Sequence, residues 1–444
     1  MIDVLKHATF RRLFLAQVLA LVGTGLATVA LALLAYDLAG AQAGAVLGTA
    51  LAIKMTVYIL LAPLAGATVP PHWRKRALIA LDLARAAAAV ALPFVNDIWQ
   101  IYLVIALLQS ASACFTPLFQ ATIPKVLPDE RDYTRALSLS RLAYDLESLL
   151  SPALAAALLT VVNFHGLFAG TSLGFLASAA LVLGTTFPVA AAAAQAGSPY
   201  ARALRGIRTY VRTPRLRGLL ALNLVAAAGG AMVFVNTVVL VRTVLGGGER
   251  QVAWALAAFG AGSMAVALVL PKLLDRLSDR RIMLTAALAM ALVLAGLTAA
   301  WQAGLAGGWL AIGLTWPLLG GAYAALVTPG GRLLRRSAQQ SDLPFLFAAQ
   351  FSLSHICWLV AYLLAGWVGA RFGLGTALGA LAVLAAVGLL LAWRAWPAHD
   401  PVVVPHRHEG LPEDDPHWAE HGRTTRGGHA HAFVIDAQHE RWPR

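Results

Sequence analysis

The sequence predicts an all-α integral membrane protein whose twelve spanning helices form two related six-helix halves. Three observations carry that reading. Of 444 residues, 59% are hydrophobic and only 12% charged, about half the roughly 25% charge of a soluble domain. Twelve stretches are apolar enough and reach the about 20 residues that a helix needs to cross a hydrocarbon core about 30 Å thick. The connectors between them alternate between basic and nearly neutral.

A net charge of +13 on a soluble domain would point to nucleic acid. Here the positive charge sits in short connectors between apolar runs, and residues 398–444 are net negative, with eight acidic residues against five basic. The bilayer is therefore the partner, and nucleic acid is not. Cys114 and Cys357 both fall in apolar runs, where they read as small hydrophobes and not as a disulfide framework. The first apolar run, after Met1 to Arg12, exceeds 20 residues. That is too long for a cleaved leader and reads as the first span.

The spans are placed near 13–36, 43–66, 77–95, 99–120, 135–160, 166–187, 217–241, 251–271, 282–301, 308–327, 344–369 and 374–396. Within lipid only a helix satisfies every backbone polar group of an isolated segment, so each run is assigned to one helix. Connectors on one side hold 22 Lys and Arg, among them Lys6, Arg11, Arg12, Lys125 and Arg332, against Arg242, Arg250 and Arg371 on the other. The positive-inside rule then puts both termini in the cytoplasm, which requires an even number of spans. The expected location is the cytoplasmic (inner) membrane of a bacterium, as a multi-pass monomer.

Four regions follow. Residues 1–190 form the first six-helix bundle and residues 217–397 the second. Between them lies a cytoplasmic linker, 191–216, whose Arg202, Arg205, Arg208 and Arg212 fall at three- and four-residue spacing, suiting an amphipathic helix on an anionic leaflet. Residues 398–444 are a His-rich, disordered cytoplasmic tail. The two halves echo each other: Ser138-Leu139-Ser140-Arg141 recurs as Ser352-Leu353-Ser354-His355, each copy about 20 residues after a Thr-Pro pair and at the start of its half's fifth helix. Duplicated halves imply a pseudo-two-fold axis along the membrane normal and a site between them at mid-depth, which is transporter architecture.

Six charges are stranded inside spans: Lys54, Arg85 and Arg141, and Asp82, Asp145 and Glu147. An isolated charge at mid-helix costs about 2.5 to 3.5 kcal/mol, so each needs a partner or a water-filled cavity. Asp82 and Arg85 are an i,i+3 pair and Arg141 and Asp145 an i,i+4 pair. The first reads as structural; the second fits a gate or a structural pair. Lys54 and Glu147 lie near the centres of spans two and five. Taking both out of water favours their neutral forms, so the pair can carry a proton. The alternative is a permanent ion pair that only fixes packing. His355 occupies the repeat position of Arg141 and can titrate near neutrality. Lys54, Arg141, Asp145, Glu147 and His355 are the candidate coupling residues. Asn223 and Asn236 on span seven either line the cavity or bond between helices.

At these residues the chain resembles the major facilitator superfamily. Pro271-Lys272-Leu273-Leu274-Asp275-Arg276-Leu277-Ser278-Asp279-Arg280-Arg281 is similar to that family's G-x-x-x-D-R-x-G-R-R loop, with Pro in the Gly position. The loop after span two, Gly66 to Arg76, keeps Gly66 and the basic cluster Arg74, Lys75 and Arg76, with Pro70 where the family has Asp. The resemblance implies one conformational latch of the family's kind, at Asp275, and one altered. Ser148-Leu149-Leu150-Ser151-Pro152-Ala153-Leu154-Ala155-Ala156 is similar to the family's antiporter motif G-x-x-x-G-P-x-x-G-G, with Ser and Ala for Gly. Small residues let helices approach closely, and Pro152 bends its helix. Ser148, Ser151, Pro152 and Ala156 are its positions here. The resemblance covers residues 1–397, is nearest the drug- and siderophore-efflux branches, and implies a secondary transporter, not an enzyme.

Eight of twelve histidines lie in the tail. His406, His408, His417, His421, His429 and His431 are candidate ligands for nickel or zinc, and the composition is similar to that of nickel-resistance members of the superfamily. The bland reading is a polar disordered tail. Gly170-Thr171-Ser172-Leu173-Gly174 matches the G-x-S-x-G hydrolase pattern but lies inside an apolar span, where it reads as a helix contact. The expected function is proton-coupled efflux of a small drug-like or siderophore-like solute by alternating access, with the proton as coupling ion and no other cofactor. The alternatives are a divalent nickel or cobalt exporter using the tail and, from another class, a non-transporting membrane sensor.

Overall fold

The computed structural model describes residues 2–69, 71–120, 122–127, 129, 132–133, 136, 139–140, 143, 147, 151, 153–186, 199–305, 308–339, 342–400, 403–407, 428–435, 439 and 442. It is a helical bundle in which, among the described residues, each of the expected spans has helical residues. They are Ala8–Ala39, Ala43–Thr68, Arg74–Ala91 and Ile98–Gln120; the fifth, seen in helical residues between 132 and 158; and Phe164–Leu183, Pro214–Val239, Glu249–Leu274, Asp279–Gln302, Trp309–Val327, Leu343–Leu363 and Leu374–Ala395. Most run a few residues past the apolar stretch that predicts them, because the interfacial turn keeps its backbone bonds after hydrophobicity ends. Span six starts at Asn163, whose Oδ1 accepts from Gly166 N (3.2 Å), and span nine at Ser278, whose Oγ accepts from Arg281 N (3.4 Å). Both are N-caps satisfying an orphan backbone donor. Spans seven and eleven close alike, each in a π-turn: Leu240–Val244 and Leu364–Val368.

Packing repeats six spans later. Span one packs on six, two on four, three on four and three on six; seven packs on twelve, eight on ten, nine on ten and nine on twelve. Small residues permit the close crossings. A Cβ on Gly174 would lie 2.7 Å from the Leu19 carbonyl oxygen, so span six rides on the backbone of span one. The hydrolase-like pentapeptide is thus a helix contact. Between the halves, span two packs against span eleven. We call the end carrying the termini and the linker the basic end, and its opposite the far end.

The linker forms the expected helix, Pro199–Arg212. Its apolar side rests on the start of span eleven: Gly206 sits over the Phe345 backbone, buried Tyr210 donates to Gln350 Oε1, and Arg205 lies 3.7 Å from Asp342. Arg208 is exposed.

Parts of the tail lie among the described residues. Val403–Arg407 and Gly428–Ala432 pair antiparallel, with His406 opposite His429 and Val404 opposite His431. Beyond them Phe433, Ile435 and His439 are buried, and the Trp442 ring lies 4.8 Å from the guanidinium of buried Arg215 at the start of span seven. Arg215 is 3.5 Å from Asp400, which accepts from Trp396 Nε1 at 3.1 Å. Composition suggests disorder because apolar residues are sparse in the tail. Phe433 meets the rings of His439 (4.7 Å) and Trp442 (5.1 Å). His408, His417 and His421 lie outside the described residues, as do Arg141, Asp145, Ser148 and Pro152. Among the described residues no group of three or more metal-type side chains forms.

Candidate functional site

Three of the five candidate coupling residues are described, and they converge between the halves. Lys54 from span two, Glu147 from span five and His355 from span eleven are each half-buried at mid-depth. Lys54 lies one turn before Tyr58, on which the His355 ring stacks, and Glu147 lies against Gly25 of span one. A half-buried charge inside a bundle requires reachable interior space, the condition under which a bilayer protein retains an ionisable group.

Glu147 is seated by its neighbours. Span one passes it at Gly25, where a Cβ would lie 3.2 Å from Glu147 Oε1 and would collide with the Ser151 side chain. Ser151 and Ala156 are both buried. The antiporter-like stretch therefore sets the Ser151 and Glu147 side chains directly against span one at Gly25, as small residues allow. Gly25→Val is expected to force these spans apart and to cost about 1 to 3 kcal/mol by overpacking, read as a lowered melting temperature of the purified protein.

His355 is held as tightly. Its Nδ1 donates to the Phe351 carbonyl at 2.6 Å, one turn back, which leaves Nε2 to accept a bond or a proton. Its ring stacks on Tyr58 of span two at 5.5 Å and 9°, and contacts Phe351 at 4.0 Å. Along span eleven the same stripe continues as Trp358 and Tyr362. Beyond it four rings close on one another: Phe234 to Phe259 (5.5 Å), Phe259 to Tyr323 (5.6 Å), Tyr323 to Trp358 (6.1 Å) and Trp358 to Phe234 (6.2 Å). They come from spans seven, eight, ten and eleven. The interior is thus lopsided, with Lys54 and Glu147 on the first half and aromatic rings on the second.

The basic loops act within their own halves. Lys75 Nζ donates to the Thr185 carbonyl (2.7 Å), and Arg12 to that of Gly184, at the end of span six. Arg280 donates to the Trp396 (2.9 Å) and Trp393 (3.4 Å) carbonyls at the end of span twelve. These are pseudo-two-fold counterparts in which a cation caps the negative end of the last helix of each half. Gly66 lies in the last turns of span two and Arg74 opens span three. Asp275, Arg276 and Arg281 are exposed. The buried carboxylate of this loop is Asp279, 2.9 Å from Arg336 and 3.4 Å from Arg332. Asp82 and Arg85 pair as expected. Asparagine acts between helices at one position: Asn236 donates to the Ala365 carbonyl (3.3 Å), while Asn223 bonds within span seven, to Leu219 (2.9 Å).

The sequence model described as Major Facilitator Superfamily matches this chain at residues 13–248 and again at 219–427. The chain belongs to the Major Facilitator Superfamily. Among curated members it is 23% identical over 219 residues to an uncharacterized MFS-type transporter, YfiS, of Bacillus subtilis, a match covering 48% of this chain and 51% of that one. It is 28% identical over 152 residues to macrolide efflux protein A of Enterococcus faecalis, covering 32% and 47%. The chain thus spans about half the length of these relatives. Solved structures with the same fold include a nucleoside transporter, NupG (TM-score 0.66, 15% identity, 87% of this chain and 98% of that one), and a D-xylose–proton symporter (TM-score 0.61, 15% identity, 88% and 97%). A superfamily member of this fold is a multi-pass membrane transporter and not an enzyme.

Sequence reasoning missed the aromatic ring of the second half and the Asp279 cluster. The first had a readable signal in the spacing of Phe351, His355, Trp358 and Tyr362, which falls on one helical face. The second had none, because a connector Asp among arginines looks like any solvated charge.

Proposed function

We propose that this superfamily member exports a small organic solute in exchange for protons, with its basic end and both termini in the cytoplasm of a bacterial cell and the far end outside. The observation that carries this reading is the stacking of His355 of span eleven on Tyr58 of span two, one turn from Lys54, with Glu147 set against span one at Gly25. A carboxylate beside an amine and an imidazole can pass one proton per cycle, and movement of one half against the other would switch the side to which it opens. The wall of Phe234, Phe259, Tyr323 and Trp358 offers apolar and π-face contact suited to an organic body. The macrolide efflux relative supports the outward direction.

A second reading, export of nickel or cobalt with the tail as collector, draws on one observation: strand pairing sets His406 opposite His429. One experiment separates the two. Purified protein in vesicles, given an inside-acid or inside-alkaline gradient, is challenged in turn with a planar organic cation, a macrolide and nickel ion. Gradient-dependent movement of an organic compound is expected. Movement of nickel alone, weakened by deleting residues 398–444, would replace the first reading with the second.

A further inference from the structure

The far ends of the two halves meet along two seams that the pseudo-two-fold relates. One joins the start of span two to the end of span eleven. There glycine faces glycine: a Cβ on Gly48 would lie 2.6 Å from the Tyr362 carbonyl oxygen and 3.0 Å from Gly366 Cα. Trp367 Nε1 donates to Thr49 Oγ1 (3.0 Å), and Gln42 Nε2 to the Ala370 carbonyl (3.4 Å). The other seam joins the start of span eight to the end of span five, and no glycine pair closes it. A cavity of about 510 Å³ remains, lined by Leu159–Asn163 and Gly248–Gln251. Arg250 bridges it. Its Nε donates to the Leu159 carbonyl (3.0 Å) and its Nη2 to the Thr160 carbonyl (3.2 Å).

Those two carbonyls close the C-terminal end of span five, where a helix presents unsatisfied acceptors and partial negative charge. A guanidinium fork meets two such acceptors at once. Arg250 is also the helix-start residue of the opposite half, so the bond exists only while the far mouth is closed. A third link, at spans one and seven, runs the same way: Thr243 Oγ1 donates to Tyr36 Oη (3.2 Å), and Arg242 lies 4.9 Å from the Tyr36 ring.

We propose that Arg250 is a gating residue, capping span five across the halves and holding the far mouth shut during the inward-open part of the cycle. The first seam closes by glycine packing with two neutral hydrogen bonds beside it; the second closes through the charged Arg250 fork, and so sets the balance between the two states. This inference rests on alternating access between the halves, but on neither the proton nor the solute.

The test uses the full chain in lipid, with Cys114 and Cys357 replaced by Ala and spin labels at Val161 and Leu305, exposed far-end positions on opposite halves (79% and 78%). Pulsed distance measurement on Arg250→Ala is expected to shift the ratio of wide to narrow far-end populations about tenfold toward wide, the size of a lost charge-assisted cap. Arg250→Lys keeps the charge without the fork and is expected to fall between Ala and the parent. Arg371→Ala, which removes a far-end cation whose contact among the described residues is the Phe372 ring of its own half, is expected to change nothing. A distance distribution for Arg250→Ala that matches the parent overturns the proposal. If pH-driven transport is intact in that same preparation, the transport reading survives without Arg250.

Discussion

Glu147→Gln is expected to abolish transport driven by a pH gradient while leaving gradient-free exchange of solute across the vesicle membrane. Glutamine keeps the shape and one hydrogen-bonding face of the carboxyl but cannot carry the charge or release the proton. The neighbouring cation makes the experiment decisive. With Glu147 neutral, Lys54 loses the carboxylate that compensates its charge, so a purely structural pair would show itself as poor insertion. The double variant Glu147→Gln with Lys54→Met removes both charges and the penalty of stranding either one, about 2.5 to 3.5 kcal/mol on insertion scales. If the pair served packing alone, the double variant would regain gradient-driven transport. If Glu147 carries the proton, the double variant inserts well and stays uncoupled, which is the expected result. Full gradient-driven flux in Glu147→Gln would remove the residue from the mechanism.

The largest loss of stability is expected from Asp82→Ala, at about 3 to 5 kcal/mol, the cost of leaving one partner of a buried ion pair without the other. Asp82 and Arg85 are both buried, at 0% and 4% exposure. Asp82 accepts from Arg85 and from Ser178 Oγ at 2.7 Å. The Arg85 guanidinium lies 4.0 Å from the Phe115 ring and 4.5 Å from the Phe175 ring, so spans three, four and six are pinned at one cation. Removing the carboxylate leaves that cation among rings that supply only part of its lost hydration. Asp82→Ala with Arg85→Met should recover most of the melting temperature, because no charge is then stranded. Ser178→Ala should cost about 1.5 to 3 kcal/mol, the range for a hydrogen bond to a charged group. Equal melting of the parent and Asp82→Ala would show that the pair contributes nothing to the fold.

Much of the architecture was legible beforehand. Span count, approximate boundaries and the division into halves follow from hydropathy and loop charge, properties that add up locally along the chain. The pairing of Asp82 with Arg85 was legible for the same reason: three residues on one helix are neighbours whatever else packs there. Glu147 and Lys54 were legible as a possibility, since equal depth can be counted from the ends of their spans. Their convergence with His355 was not, because depth says nothing about which way a helix is rotated. The tail misled for a related reason. Its composition is that of a disordered segment, yet the Trp442 ring meets the guanidinium of Arg215, a surface set by the packing of spans seven and twelve. Arg250 looked like one of three sparse cations on the side with little charge. Its meaning appeared only when the end of span five arrived beneath it.

The sequence by itself determined that lipid solvates this chain, how many times it crosses, and which few charges had to find partners, because the cost of burying a charge or an unpaired peptide group is paid residue by residue. Tertiary structure alone decided which charges meet, which rings face them and where the two halves touch. Those outcomes depend on the rotation and tilt of each helix about its own axis, set by the packing of small residues such as Gly48 and Gly366 against backbones more than 300 residues away.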